Sequence, residues 1–142
     1  MTTRHGGRIF KFPLRTSRRT EFKNVTEEIE KLVRESACAQ GVCHLYVPHT
    51  TAAVMINEGY DPDVARDMEV AFDRMVPHGG DYRHAEGNSD SHIKTALVGT
   101  SETIWIEGGH LVLGRWQMIF FAEFDGPRRR ELFVKIVSDP AS

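Results

Sequence analysis

Three stretches of the sequence bring together side chains that can ligate a metal, transfer a proton or hold an anion. The first, HTTAAVMINEGYDP at residues 49–62, begins with a histidine and two threonines, and its apolar run ends in Asn-Glu. In an extended strand alternate side chains share a face, so His49 and Asn57 fall on one side, opposite a core-like set. We interpret this side as a site wall with Glu58 and Asp61 at its rim. The alternative is a set of strand-end polar residues followed by a helix cap.

The second stretch, YRHAEGNSDSH at residues 82–92, holds two histidines in a polar, glycine-containing segment. His84 and His92 are eight residues apart, which is not the i, i+4 spacing of a helical metal site, so the local motif is weak by itself. If the fold brings them to His49, three imidazoles with one open position are what a catalytic zinc takes. Carboxylates that could orient such ligands are Glu58, Glu86 and Glu123.

The third stretch, GRWQMIFFAEFDGPRRR at residues 114–130, combines an apolar strand with a basic turn. Gln117 and Glu123 have the same strand parity and are therefore expected to face one pocket. The arginines after Asp-Gly-Pro are either an exposed cap or a bidentate phosphate site, and the exposed cap is favoured for Arg129 and Arg130. No Walker-type loop, dinucleotide fingerprint or Gly-x-Ser-x-Gly elbow is present, which removes those enzyme classes.

Apolar periodicity, with Gly and Pro as punctuation, predicts the elements that position these residues. A capping-box pattern predicts that the first helix begins after Asn24, and Asp61-Pro62 predicts the start of the second. The segment from Pro77 to Asp90 is predicted as a loop long enough to be functional. The predicted strands span residues 8–14, 20–23, 42–47, 50–57, 103–107, 111–124 and 131–137. The predicted helices span residues 25–37 and 62–74, with a shorter one at 91–98.

This element order has its strands grouped at the end, which favours antiparallel pairing over a doubly wound parallel sheet. The expected fold is α+β, with a compact antiparallel β-sandwich-like core and two main helices. The strand after Arg115 is apolar on both faces, so a second sheet, a helix or another subunit must cover it. We expect one domain over residues 1–142, with a flexible tail at residues 1–7, and we expect it to oligomerise.

The overall composition of the chain limits the classes of protein and of partner that fit it. The chain has 142 residues, 40% hydrophobic and 27% charged, which argues for one folded domain rather than a disordered segment. A net charge of −2 gives no global basic field for a nucleic acid. No apolar run reaches the ~18 residues of a membrane span, and no signal peptide is recognised. Cys38 and Cys43 have neither zinc-knuckle nor redox spacing, so we interpret them as reduced thiols of a cytoplasmic protein.

Taken in order, the motifs resemble those of the secondary thiamine-phosphate synthase family, also called the YjbQ-like family. They are HTTA at residues 49–52, INE with DP at 56–62, RH with EGN and HIK at 83–94, and WQ with EFDGPRRR at 116–130. The resemblance runs from about Phe10 to Val137. It implies an α+β fold with an antiparallel core, assembled as a homotrimer, with a histidine-lined pocket near the subunit interface that often holds a metal or an anion.

The activity that the resemblance implies joins a pyrimidine diphosphate to a thiazole phosphate, as a main or a side activity, and yields thiamine phosphate and pyrophosphate. Its metal ligands would be His49, His84 and His92, which suit zinc, whereas magnesium would bridge the diphosphate to Asp61 or Glu58. Its catalytic residues would be His49, Glu58, Asp61 and Glu123. The residues expected to bind the phosphorylated substrate are Thr51, Asn57, Asn88, Lys94, Trp116, Gln117 and Arg128. The alternatives are a zinc-dependent hydrolase and a non-catalytic binding protein for a small phosphorylated ligand.

Among the departures from the family pattern, which include Ser91 in place of the usual Ala before the last histidine, two stand out. Gly59 replaces the second Asn of Asn-Glu-Asn, and Met118 replaces the Gly of Trp-Gln-Gly. Because Met118 is much larger than glycine, we expect a bulkier wall near the pocket, which bears on the substrate more than on the fold.

Overall fold

A computed structural model of the chain describes residues 8–140, so the expected tail at residues 1–7 lies outside the described range. The strands of the described range are β1 (Ile9–Arg15), β2 (Glu21–Asn24), β3 (Gln40–Tyr46), β4 (Ala52–Glu58), β5 (Ser101–Glu107), β6 (His110–Leu111), β7 (Gln117–Glu123) and β8 (Arg129–Ser138). Its helices are α1 (Thr26–Ser36), α2 (Pro62–Met75) and α3 (Ser89–Val98).

The strands form two sheets in which every neighbouring pair is antiparallel. A large sheet has the order β1-β8-β3-β5-β6, and a small sheet has the order β2-β7-β4. The predicted α+β class and the antiparallel core are therefore confirmed. The ten-residue helix α3, expected only as a minor element, is nearly as long as α1 and carries several candidate site residues. Pro13 lies in β1 at the edge of the large sheet, where its missing N–H leaves no ladder bond unmade.

Strand β7 is covered on both faces, as its sequence predicts. Ile119 and Phe121 belong to the main core, which also contains the inward residues of the large sheet and the apolar face of α1. Ala122 and Phe124 belong to a second cluster that includes Phe72 of α2. The small sheet thus packs against the large sheet and α1 on one face, and against residues of α2 and α3 on the other.

The predicted strand over residues 111–124 is divided into β6 and β7. A turn interrupts it at Gly114, whose N–H donates to the side-chain oxygen of Gln117 at 2.7 Å while its carbonyl accepts from the Gln117 N–H at 3.1 Å. The tight hairpin predicted at residues 107–110 is confirmed, because Glu107 pairs with His110. Both intervening glycines have positive φ, as such a turn requires.

The helix starts depend on short polar side chains. Asp61 Oδ1 accepts from the Asp63 N–H at 2.9 Å, and Pro62 occupies the first turn, as predicted. Asn24 serves α1 from just outside it, where Oδ1 accepts from the Thr26 N–H at 3.0 Å. Helix α3 begins at Ser89, two residues before the predicted start.

The geometry of β4 and α3 decides which sequence motifs can meet. The start of β4, the start of β8 and the N-terminal end of α3 come together at one end of the molecule, as the lining of a shared cavity shows. Within residues 8–140, no helix has the length and apolarity needed to span a bilayer.

Candidate functional site

Three histidines from separate segments line one cavity of about 450 Å³, here called the histidine pocket. The predicted convergence of His49, His84 and His92 is therefore present in the fold. The segment before β4, the start of α3 and the turn into β8 each contribute to the wall. The lining residues are Pro48, His49, Thr50, Thr51, His84, Glu86, Asn88, His92, Asp125, Arg128 and Arg130.

His49 is fixed by the main chain of β8. Its Nε2 accepts a hydrogen bond from the Glu131 N–H at 2.9 Å. Burial lowers the pKa of His49 below its ordinary value of 6.5, and the charge of Arg130 lowers it further, against a smaller opposing effect of Glu123. His49 is therefore neutral near pH 7 and carries its proton on Nδ1, which leaves Nδ1–H as a donor.

His84 and His92 lie side by side, with ring centroids 5.2 Å apart and planes at 89°. His84 Nε2 is 3.9 Å from Glu86 Oε2. Across residues 8–140, no group of three or more His, Cys, Asp or Glu side chains is arranged to hold a metal ion. With the lone pair of His49 Nε2 engaged by a backbone amide, the three histidines as placed do not fit a zinc ligand set, and the metal site stays a prediction.

Glu123 lies behind the pocket wall, fully buried and paired with Arg130. Oε1 accepts from Thr16 Oγ1 at 2.6 Å and from Arg130 Nε at 2.8 Å. Oε2 accepts from Arg130 Nη2 and from the Asp125 N–H. Four donors occupy this carboxylate, so its placement suits an anchor for Arg130 better than the catalytic role expected from the sequence.

Arg130 in turn fixes the start of β4, because Nη2 donates to Thr51 Oγ1 at 2.8 Å. The sequence favours an exposed cap for Arg130, and this prediction is wrong, because Arg130 is buried. The alternation along β8 could have predicted this burial, because Arg130 lies on the same face of the strand as the buried residues Leu132, Val134 and Ile136. An arginine on the buried face of a strand needs a carboxylate partner, and such a partner is Glu123.

Asp125 organises the basic side of the pocket, although the sequence predicts only a turn at this residue. Its Oδ2 accepts from Arg128 Nη2 at 3.0 Å and from Asn88 Nδ2 at 2.8 Å. Its Oδ1 is 3.5 Å from Nη1 of Arg19. Asn88 is buried, and its Oδ1 has no hydrogen-bond partner among the described residues. Asn88 thus lines the pocket with its Nδ2 held by Asp125, and Arg128 keeps a half-exposed guanidinium there.

A second group of predicted site residues lies at the other end of β4. Seven residues at about 3.3 Å each separate the two ends by about 20 Å. At that far end Glu58 pairs with Gln117, and the Tyr60 and Trp116 rings are 5.6 Å apart. Five of the predicted site residues belong to this far end and do not line the histidine pocket of the same chain: Asn57, Glu58, Asp61, Trp116 and Gln117. The single wall from His49 to Asn57 is therefore not formed.

Met118 also lies at the far end of β4 and does not line the histidine pocket. The bulkier pocket wall expected from it is therefore not found. Its side chain instead packs where a Cβ at Gly59 would stand. The two departures from the family pattern are thus neighbours, and the large residue occupies the space that the small residue leaves.

Lys94 is buried in an ion network beneath α3 rather than in the pocket wall. Its Nζ lies 2.6 Å from Asp73 Oδ1 and 3.6 Å from Asp90 Oδ2. Asp90, also buried, accepts from Arg19 at 3.0 Å and lies 3.1 Å from His78 Nδ1. Burial raises the pKa of Asp90, but the His78 hydrogen bond and the charge of Arg19 outweigh it, so the net pKa lies below the ordinary value of 3.8. The expected role of Lys94 in substrate binding would require it to leave these partners.

Comparison with known proteins places this geometry in a family. The family model described as UPF0047 protein YjbQ-like matches residues 10–139. A UPF0047 protein of Methanocaldococcus jannaschii is 48% identical over 131 residues, which cover 92% of this chain and 95% of that protein. The UPF0047 protein YugU of Bacillus subtilis is 44% identical over 126 residues, which cover 87% and 95%.

Solved structures match the chain over most of its length. A YjbQ/UPF0047 family protein of Clostridium acetobutylicum superimposes with a TM-score of 0.89 at 49% identity, covering 90% of this chain and 99% of that one. A YbjQ-like protein of unknown function from Sulfolobus solfataricus gives a TM-score of 0.88 at 28% identity, covering 92% and 96%. The names of these relatives state a family and no reaction. The chain belongs to the YjbQ-like UPF0047 family.

Proposed function

We propose that the histidine pocket binds a small phosphorylated molecule. The observation that carries this proposal is that three histidines and two arginines converge, beside the N-terminal end of α3, in one cavity of about 450 Å³. Guanidinium and imidazole N–H groups, hydroxyls and a helix N-terminus are the donors that phosphate oxygens accept from.

The histidine pocket offers an anion directed donors rather than a surplus of positive charge. Glu123 neutralises Arg130, Asp125 pairs with Arg128, and Arg19 is shared between Asp125 and Asp90. Glu86 also lines the cavity, so the charges around it are balanced. The Arg128 guanidinium is half exposed and lines the cavity, so it still has N–H groups to donate to a phosphate.

The reaction we propose for this site is the synthase type, in which a thiazole nitrogen attacks a pyrimidine methylene carbon and the carbon–oxygen bond to the diphosphate breaks. The electron pair of that bond leaves with pyrophosphate. Arg128 would stabilise the developing charge on the leaving oxygen, and neutral His49 would donate from Nδ1 to a phosphate oxygen. The non-catalytic alternative is binding of the same phosphorylated class without turnover.

Calorimetry with inorganic pyrophosphate tests the binding step. Arg128→Gln removes the guanidinium that lines the pocket, and we expect a loss of affinity of about 10-fold or more. The matched control is Arg129→Gln, because Arg129 is a neighbouring exposed arginine outside the lining, and its affinity should stay within about twofold of the wild-type value. Wild-type protein that does not bind pyrophosphate at millimolar concentration would overturn the proposal.

Turnover is tested separately, by following thiamine phosphate formed from the pyrimidine diphosphate and thiazole phosphate. We expect His49→Ala to abolish turnover while the protein stays folded, because His49 would donate to the phosphate in the reaction. A fully active variant would exclude that role. Pyrophosphate binding without turnover in the wild type would favour the non-catalytic alternative.

A divalent metal, zinc or magnesium, is a separate proposal, and so is the zinc-dependent hydrolase built on it. Elemental analysis of untagged protein tests both. Stoichiometric zinc that disappears in a His49/His84/His92 triple variant would support them. Because the His49 Nε2 lone pair is engaged by Glu131 N–H, such a site requires that hydrogen bond to break.

We propose a homotrimer in the cytoplasm as the working form. Large exposed apolar side chains support an assembly, among them Met75 at 63% and Trp105 at 70% exposure. The buried, unbridged thiols Cys38 and Cys43 suit a reducing compartment.

A further inference from the structure

A second cavity of about 630 Å³ lies directly against the histidine pocket. The two cavities share Pro48, His49, Thr50 and His92 as lining residues, so these residues form a common wall. The rest of the second lining comes from the end of β3, the C-terminal half of α3 and the segment before β5. We call this second cavity the neutral chamber.

The neutral chamber differs chemically from the histidine pocket. Apart from the two shared histidines, its lining has no charged side chain, and the distinctive residues include Tyr46, Ala96 and Thr100. The histidine pocket contains two arginines and two carboxylates. Two adjoining cavities, one with charged side chains in its lining and one without, suit a ligand with the same division.

One lining residue of the neutral chamber, Thr95, has a buried Oγ1 with no hydrogen-bond partner within residues 8–140. Thr95 is only 4% exposed. A buried polar atom without a partner is costly, and a ligand group that hydrogen-bonds to this hydroxyl would remove that cost.

We propose that the neutral chamber receives the uncharged organic body of the ligand whose phosphate lies in the histidine pocket. The ligand class is a phosphate ester of an uncharged, ring-sized group with a hydrogen-bonding substituent that reaches Thr95 Oγ1. This inference rests on the proposed phosphate function and adds the other half of the ligand. His49 and His92 then contact the junction between phosphate and body, which is where a bond to a leaving diphosphate would break.

The test compares probes that fill one or both cavities. Calorimetry with inorganic phosphate measures the histidine pocket alone, and benzyl phosphate adds a neutral ring. We expect the wild type to bind benzyl phosphate about 10-fold or more tightly than inorganic phosphate, because the ring is removed from water. Ala96→Phe, which places a ring in the chamber, should abolish that preference while the affinity for inorganic phosphate stays within about twofold.

The matched control is Leu97→Phe, since Leu97 is the next residue of α3, is 61% exposed and lies outside the lining. It should keep the wild-type preference for benzyl phosphate. Thr95→Val is the second variant, because it keeps the shape of the side chain and removes the hydroxyl. The wild type should bind 4-aminobenzyl phosphate more tightly than benzyl phosphate, and Thr95→Val should lose that preference while it binds benzyl phosphate as the wild type does. A wild type without the preference would overturn the role of Thr95.

The outcomes separate the two proposals. If inorganic phosphate binds but benzyl phosphate is not preferred, or if Ala96→Phe and Leu97→Phe behave alike, the neutral chamber is overturned and the phosphate pocket stands. If neither probe binds to the wild type, both proposals are overturned. Preserved thermal unfolding of Ala96→Phe shows that the variant is folded, and if it is not folded, the Thr95→Val result decides.

Discussion

His49 is held by a backbone amide that requires its Nε2 to stay unprotonated. Protonation of the ring would break the hydrogen bond from Glu131 N–H and add a cation beside Arg130. Burial, first, and the charge of Arg130, second, lower the pKa of His49 from 6.5. The residue that the sequence marks as a metal ligand is thus, in this fold, a neutral imidazole that links the segment before β4 to β8.

The lowered pKa makes a prediction about stability. The unfolded chain takes up the proton near pH 6.5 and the folded chain only at a lower pH, so the contribution of His49 is present above pH 6.5. It is lost as the pH falls from there through the folded pKa. We expect the stability difference between wild type and His49→Gln, measured by urea unfolding at several pH values, to shrink over that interval. A difference independent of pH would contradict the lowered pKa.

Glu123 makes a second prediction, which separates structure from catalysis. Glu123→Gln leaves Arg130 buried without a counter-charge, so we expect a loss of about 3–5 kcal/mol in the free energy of unfolding. Glu107→Gln, at an exposed position at the end of β5, should change stability by less than about 0.5 kcal/mol. A stable Glu123→Gln protein that has lost turnover would instead make Glu123 a reacting group.

The sequence predicted some residues of the candidate site correctly and others not. The three histidines were correctly expected to converge, because they belong to motifs whose order resembles one family. Asp125 and Arg19 were not expected, because their roles arise from ion pairs between residues far apart in sequence. Lys94 was expected in the site, but its cation is buried against Asp73 and Asp90. A sequence pattern gives side-chain types, and burial decides which of them reach a pocket.

At the scale of elements, the length of β4 divides the predicted site. Face parity correctly separates Val54 of the main core from Ala53 of the second cluster. Parity gives no distance along the strand, and residues before Ala52 and after Asn57 lie at opposite ends. The strand predicted over residues 50–57 in fact begins two residues later, at Ala52, after the segment that contains Pro48 and the pocket residues.

The far end of β4 supplies an element-scale prediction. A Cβ at Gly59 would overlap the Cβ and Cγ atoms of Met118. Gly59→Ala alone should therefore cost about 1–3 kcal/mol of unfolding free energy through overpacking. Combined with Met118→Ala, which removes the Cγ atom and leaves the Cβ atom, the loss should be smaller than the sum of the two single losses by about 1 kcal/mol. Urea unfolding of the four proteins measures this coupling.

Gly79→Ala is the control for that cycle, because nothing lies within 4 Å of a Cβ built there and no positive φ is recorded for it. It should be close to neutral and should show no coupling with Met118→Ala. Strict additivity of Gly59→Ala and Met118→Ala would mean that the backbone moves away and that the contact does not limit either position.

At the scale of the molecule, the fold was the most predictable level. Grouped strands, apolar faces on both sides of β7 and a Gly-Gly hairpin together predict an antiparallel, layered α+β domain, which the structure and its relatives bear out. Helix α2 has an apolar face that the contacts within one chain do not fully bury. Its sequence has an apolar stripe, yet none of its residues is fully buried. Two aromatic residues at the far end of β4, Tyr60 and Trp116, are likewise more than half exposed.

These exposed groups make the last prediction, on assembly. If α2 packs against another copy, light scattering should give about three times the chain mass of 16.1 kDa, and Met75→Glu should shift the protein toward monomer. Arg66→Glu, on the opposite side of α2 and exposed, changes the charge more and should leave the mass unaltered. A wild-type monomer at micromolar concentration would overturn the assembly.

Pyrophosphate titration of the Met75→Glu monomer then shows whether one chain contains the whole phosphate site. Retained affinity would place the whole site in one chain. Lost affinity would indicate that a neighbouring copy completes the site, and the residues at the far end of β4 are available for that role.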